Sequence, residues 1–157
     1  MVEDNFPNLR ADSYLVTSPA TIHYNCIAWA AGYTNRWWWP HPDAYWPPGV
    51  PEEETIEAFI KAFITEGYER CNDSKLDEGY EKIAIYATEH GPTHAARQLE
   101  NGRWTSKIGD AEDITHSSLE GLIGELYGSP ACYLRRLKRA NYKTKKRRRN
   151  FQAIDDP

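Results

Sequence analysis

The chain has 157 residues, 40% of them hydrophobic and 27% charged, and a formal charge of −4, enough to bury one core without metal or disulfide staples and too polar for the membrane classes. No run approaches the roughly 20 apolar residues a bilayer crossing needs, and Met1 to Arg10 lacks a basic segment followed by an apolar one, so a cytoplasmic location is expected. Cys26, Cys71 and Cys132 are odd in number and scattered, which argues against a disulfide framework and against the close pairs of zinc or thioredoxin-like sites.

In chain order, the first clear element is Cys26 to Ala31, apolar on every side, with Asn25 as N-cap and Gly32 as C-cap, which predicts a short helix buried all round. Trp37 to Pro51 follows, with prolines at 40, 42, 47, 48 and 51 that exclude regular helix or central strand. Pro51 and the three glutamates after it are expected to open a helix in which Ile56, Phe59, Ile60, Phe63 and Ile64 form one face, ended by Gly67. Lys82 to Thr88, Thr93 to Glu100 and Arg103 to Ile108 read as strands, the last two joined at the Asn101-Gly102 turn, giving an antiparallel meander. Ser117 and Glu120 have capping-box spacing before Leu119, Leu122, Ile123, Leu126 and Tyr127, which predicts a second amphipathic helix stopped by Gly128 to Pro130. A last amphipathic segment runs into the C-terminus.

Charge divides the chain. Arg135 to Arg149 holds ten of the nineteen basic residues and no acidic one, while Met1 to Leu134 has 9 basic and 21 acidic residues, net −12. The expected organisation is one α+β domain over 1–134, with the Cys-bearing helix packed on an antiparallel sheet beside further helices, and a basic tail over 135–157. The tail is expected to dock on the acidic body or stay unfolded, so nucleic acid is not an expected partner, and nor is a membrane.

The chemistry concentrates on two residues. A thiol at a helix N-terminus gains from the free N–H groups there, which favour the thiolate and also suit the oxyanion of an acyl intermediate, so Cys26 is the candidate nucleophile. His94, on the strand T-H-A-A-R-Q-L, is the candidate base, held rigidly by its sheet and expected to face the Cys helix. His23, His41 and His90 lie in loop or turn sequence, and His116, beside a helix cap, is a reserve candidate. The histidines and cysteines lack ligand spacing, so no metal and no cofactor are expected.

These blocks, Y-N-C-I-A-W-A and T-H-A-A-R-Q-L-E-N-G-R-W-T-S-K-I-G-D-A-E-D-I, resemble the NlpC/P60 branch of the papain-like superfamily over Tyr24 to Ile114. They also look like an uncharacterised bacterial domain family with Y-N-C-x-A-W-A and T-H-A-x-R-Q motifs. The resemblance implies a papain-like fold and a cysteine hydrolase or acyltransferase in which Asn25-Cys26 opens the core helix and His94, Gly102, Trp104 and Ser106 fall in the later motif positions. Ser106 stands where relatives carry a stronger orienter of the imidazole. A two-residue turn at Asn101-Gly102 would pair His94 with Gly109 and set Lys107 on its face, whereas a three-residue turn with a glycine bulge sets residue 96 against Ser106 and brings that hydroxyl to the side of His94. Asp110, past the strand end, is the other candidate orienter.

Papain-like architecture also implies that the loop after the Cys helix roofs the groove. Tyr24, Asn25, Trp38, Trp39 and Trp46 are the expected substrate contacts, although burial of most of these aromatic rings as a second small core is the simpler expectation. The leading reading is a Cys-His amidase, peptidase or acyl-transfer enzyme acting on a peptide, isopeptide or glutamine amide. A cell-wall peptide as substrate would require export as an effector without a cleavable signal. The alternative is an inactive papain-like domain that binds a protein partner through the Trp- and Pro-rich loop.

Overall fold

The computed structural model describes residues 2–138. Seven strands form one antiparallel sheet in the order β1-β6-β5-β4-β3-β7-β2, where β1 is Tyr14–Ser18, β2 Glu69–Cys71, β3 Tyr80–Thr88, β4 Gly91–Gln98, β5 Trp104–Lys107, β6 Asp113–His116 and β7 Ser129–Leu137. Three α-helices accompany it: α1, Val2–Asn5; α2, Cys26–Ala31; and α3, Ile56–Ile64. The class is mixed α+β, as helical runs followed by strands predict, and β3 to β5 form the expected meander, which β6 extends by one strand.

Helix α2 forms where its caps say it should. Asn25 Oδ1 accepts from the Ala28 N–H at 3.2 Å, and Gly32, at φ 97°, turns the chain so that its own N–H reaches the Trp29 carbonyl. Helix α3 begins later than predicted. Thr55 is its N-cap, accepting from the Ala58 N–H at 3.2 Å, and the Pro51 carbonyl is instead taken by the Trp46 indole, so 51–55 remain outside the helix.

Two expectations are corrected. The helix predicted over Leu119 to Tyr127 shrinks to a 3-10 turn, Leu119–Leu122, because the Ser117 hydroxyl bonds to Asp12 instead of capping, and Gly124 and Gly128 then pair with each other to turn the chain into β7. The domain boundary at 134 falls inside β7: Arg135 pairs with Glu69 at 3.0 Å, and Arg136 bonds to Glu81 and to the Glu66 carbonyl. The rest of the basic tail, from residue 139, lies outside the described residues.

The sheet separates two cores. On one face Ile83, Ile85, Ala95, Cys132 and Leu134 pack with α2, α3 and the aromatic loop; on the other Ala84, Tyr86, Ala96, Trp104 and Ile114 pack with Phe6, Leu9, Leu119 and Leu122. Strand alternation assigns each residue to its face.

Candidate active site

Asn25 assembles the region around Cys26. Besides capping α2, its Oδ1 accepts from the Trp38 N–H at 3.0 Å and its Nδ2 donates to the Trp38 carbonyl at 2.8 Å, which clamps the aromatic loop to the helix start. Bonds from the Trp39 and Tyr45 N–H groups to the Tyr45 and Trp37 carbonyls then fold the loop back on itself. A cavity of about 460 Å³ opens between this loop, Cys26, Thr93 and Gly109 of the sheet side, and Tyr127.

The aromatic rings divide between cavity and core. Trp38 is 1% exposed and Trp46 8%, both in the α2 core; Tyr24 is buried too, stacked on Trp29 with its hydroxyl donating to Asp113 at 2.6 Å. These three rings, expected as substrate contacts, pack in the core and are not among the residues lining the cavity, since an indole or phenol ring finds more apolar contact in the core than in the loop surface. Asn25 and Trp39 do line the cavity, with Trp37, His41, Asp43 and Ala44. Of these, Trp37 is exposed and is the indole best placed to meet a ligand.

Cys26 Sγ donates toward the Thr93 carbonyl at 3.9 Å, at a point where β4 has lost its β5 neighbour: the β4–β5 ladder consists of Arg97 with Thr105 and Gln98 with Trp104. The thiol pKa is pushed up to about 11 by burial, against which the N–H groups of Ala95, Ile27 and Cys26 itself and the charge of Lys107 pull down. At neutral pH the sulfur is a thiol surrounded by three backbone donors.

His94 leaves β4 on the other face from Ala95. Its ring meets Tyr86 edge-on at 5.4 Å and stacks flat on Tyr127 at 4.2 Å, so it does not face α2 as the sequence suggests. Cys26 and Tyr127 nevertheless line one cavity, which runs past the open end of the β4–β5 pair. No hydrogen bond joins the sulfur to the imidazole among the described residues; His94 Nε2 lies 3.0 Å from Ser106 Oγ, and Nδ1 is buried without a partner. Burial, then the neighbouring His116, hold the His94 pKa well below the usual imidazole value.

The hairpin places Ser106 beside the imidazole. Its register pairs Arg97 with Thr105, which sets residue 96 opposite Ser106, as the three-residue turn with a glycine bulge at Gly102 (φ 86°) requires. Asp110 is exposed in the following turn, and the side chain at the imidazole's Nε2 is that of Ser106. Ser106 Oγ in turn lies 2.8 Å from His116 Nε2, and His116 Nδ1 lies 2.8 Å from the Ser118 carbonyl. His94, Ser106 and His116 are all 0% exposed. His116 was legible as a strand residue sharing the Ser106 face only if the turn at Gly109 had been read as a hairpin; Tyr127 was hidden by its place in a helical-looking repeat.

Among the described residues no three His, Cys, Asp or Glu side chains converge to hold a metal, and no helix is long and apolar enough to cross a membrane. The architecture and site define an α+β domain with a buried thiol and a buried polar chain at the open end of one strand pair. The chain belongs to a family described as a domain of unknown function (DUF7689), whose model matches residues 15–135. No curated protein and no solved structure matches it.

Proposed function

We propose that the chain is a cysteine-dependent amide hydrolase or acyl-transfer enzyme of papain-like, NlpC/P60-like type, acting on a peptide, isopeptide or glutamine amide, with Cys26 as nucleophile, His94 as base and Ser106 orienting the imidazole. One observation carries the reading: His94 is anchored through Nε2 alone, leaving Nδ1 buried and unpaired one residue from the peptide group that holds the Cys26 thiol. An unpaired buried acceptor costs about 1–3 kcal/mol, and a proton delivered to it during a reaction would give it the partner it lacks at rest.

In the resting state thiol and imidazole are both neutral, so the proton moves with the attack. Once the Tyr127 ring, which stacks on His94 and lines the Cys26 cavity, moves aside, Sγ–H gives its proton to Nδ1 as sulfur bonds to the substrate carbonyl carbon, and the N–H groups of Cys26, Ile27 and Ala95 receive the oxyanion. The imidazolium protonates the leaving nitrogen as the C–N bond breaks. Water, deprotonated by the same nitrogen, then hydrolyses the thioester, or an amine takes the acyl group.

A second reading, an inactive domain that holds a partner segment in the cavity against Trp37 and Trp39, is favoured by the absence of a Cys26 to His94 hydrogen bond. Cys132 supplies the control that separates the two, because it is as buried as Cys26 (7% against 5% exposed) and its pKa is likewise raised to about 11, with no imidazole among its partners. Iodoacetamide labelling at pH 7.5, followed by peptide mass spectrometry, is expected to modify Cys26 about 100-fold or more faster than Cys132, the range of general-base assistance. His94→Ala is expected to erase that advantage. Equal slow labelling of both thiols in the native protein would leave only the binding reading.

A further inference from the structure

The polar chain beyond His94 does more than fill space. A backbone carbonyl only accepts hydrogen bonds, so the 2.8 Å contact to the Ser118 carbonyl places the His116 proton on Nδ1. Neutral His116 then presents a lone pair at Nε2, and the Ser106 hydroxyl, 2.8 Å away, donates to it. With its one proton committed, Ser106 Oγ can only accept from His94 at 3.0 Å, which puts the His94 proton on Nε2. The lone pair of His94 is left on Nδ1, the nitrogen without a partner.

We infer that His116 is a positioning residue, which through Ser106 fixes the direction of every hydrogen bond in the chain and thereby holds His94 in the tautomer whose free Nδ1 is the basic atom. This deepens and rests on the proposed role of His94 as base. It also gives a physical reason why a serine suffices where a carboxylate or amide would be expected. A lone hydroxyl donates or accepts with equal ease and so specifies no tautomer, whereas a hydroxyl already bound to a fixed imidazole can only accept.

The surroundings suit that task. His116 closes β6, its backbone paired with Tyr14 of β1 on one side and Trp104 of β5 on the other, and its ring is held between Ser106 Oγ and the Ser118 carbonyl. Ser118, source of the fixing carbonyl, is itself tied by its N–H to Asp12 at 3.2 Å. The terminus of the chain of bonds is therefore backbone anchored on both sides, and a side-chain rotation at His116 would break two contacts at once.

The test is an imidazole 15N spectrum of the full-length protein labelled at histidine, recorded at pH 7.5. His94 is expected to show a pyridine-like Nδ1 and pyrrole-like Nε2, and His116 the reverse pattern. His116→Leu is expected to leave Ser106 free to point either way and to convert the single His94 form into a mixture of both tautomers, with a loss of the Cys26 labelling advantage over Cys132. His116→Gln, whose side-chain carbonyl can accept from Ser106, is expected to restore the single form. A wild-type His94 with its proton on Nδ1, or one unchanged tautomer in His116→Leu, would overturn the inference. Tautomers as expected with an unreactive Cys26 would instead leave the positioning role intact and remove the catalytic reading.

Discussion

Cys26 offers a measurement that reads its protonation state directly from stability. Burial raises the thiol from 9.0 to about 11, so the folded protein binds that proton more tightly than the unfolded chain does. The sign follows: the contribution is fully present below pH 9 and is lost as pH climbs toward 11, because the unfolded thiol ionises first. With 1.36 kcal/mol per pK unit, the loss is about 1.4 kcal/mol at pH 10, about 2.3 kcal/mol at pH 11 and at most about 2.7 kcal/mol. Urea unfolding of the wild type and of Cys26→Ala, at half-unit steps from pH 8 to 11, isolates the term, since Cys132 and the tyrosines titrate alike in both proteins. The stability difference between the two proteins is expected to shift by these amounts, in the direction that favours the variant at high pH. A difference flat from pH 8 to 10.5 would refute the buried neutral thiol, and one that changes only below pH 8 would point to a thiolate paired with a charged imidazole.

His94 and His116, both with pKa lowered mainly by burial, act in the opposite direction: their contribution is present above the unfolded value near 6.5 and disappears as pH falls below it. Acid unfolding monitored by far-UV circular dichroism is therefore expected to start below about pH 6.5 with a slope approaching two protons, and His94→Phe should take about one proton from that slope. The turn that carries Tyr127 is equally testable, because Gly128 sits at φ 71° and an added Cβ would collide with the Ala87 carbonyl oxygen. Gly128→Ala is expected to cost about 3 kcal/mol or more, a fall of at least about 6 °C in Tm by differential scanning calorimetry.

Where hydrophobic period and capping chemistry agree, the sequence is readable: α2 has its Asn25 and Gly32 caps and the meander has its turn, while the turn length stays open in the sequence and only the structure selects the bulged register that brings Ser106 to the His94 side. The failures share a cause. Ser117-x-x-Glu120 carries a helix-start pattern, but Asp12, more than a hundred residues away in sequence, captures the Ser117 hydroxyl, and a local pattern cannot anticipate a distant partner. The same holds at 51–55, where the Trp46 indole claims the Pro51 carbonyl. The face of His94 departs from expectation because strand parity is fixed by neighbours outside the local pattern; with Ala95 packed in the α2 core, residue 94 points away.

That parity shapes the chemistry. An imidazole on the α2 face would lie in the first core, among Ile27, Ile85 and Ala95. On the far face it is backed by Ser106 and His116 and covered by Tyr127, and the loss of β4–β5 pairing beyond Arg97 leaves the Thr93 to Ala95 backbone as the partition between sulfur and ring. The Tyr127 ring stacks at 4.2 Å on His94 and lines the same cavity as Cys26, so it stands between the two groups. The Tyr127 carbonyl accepts from Thr93 Oγ1 at 2.7 Å, which ties the turn before β7 to β4 at the residue preceding His94.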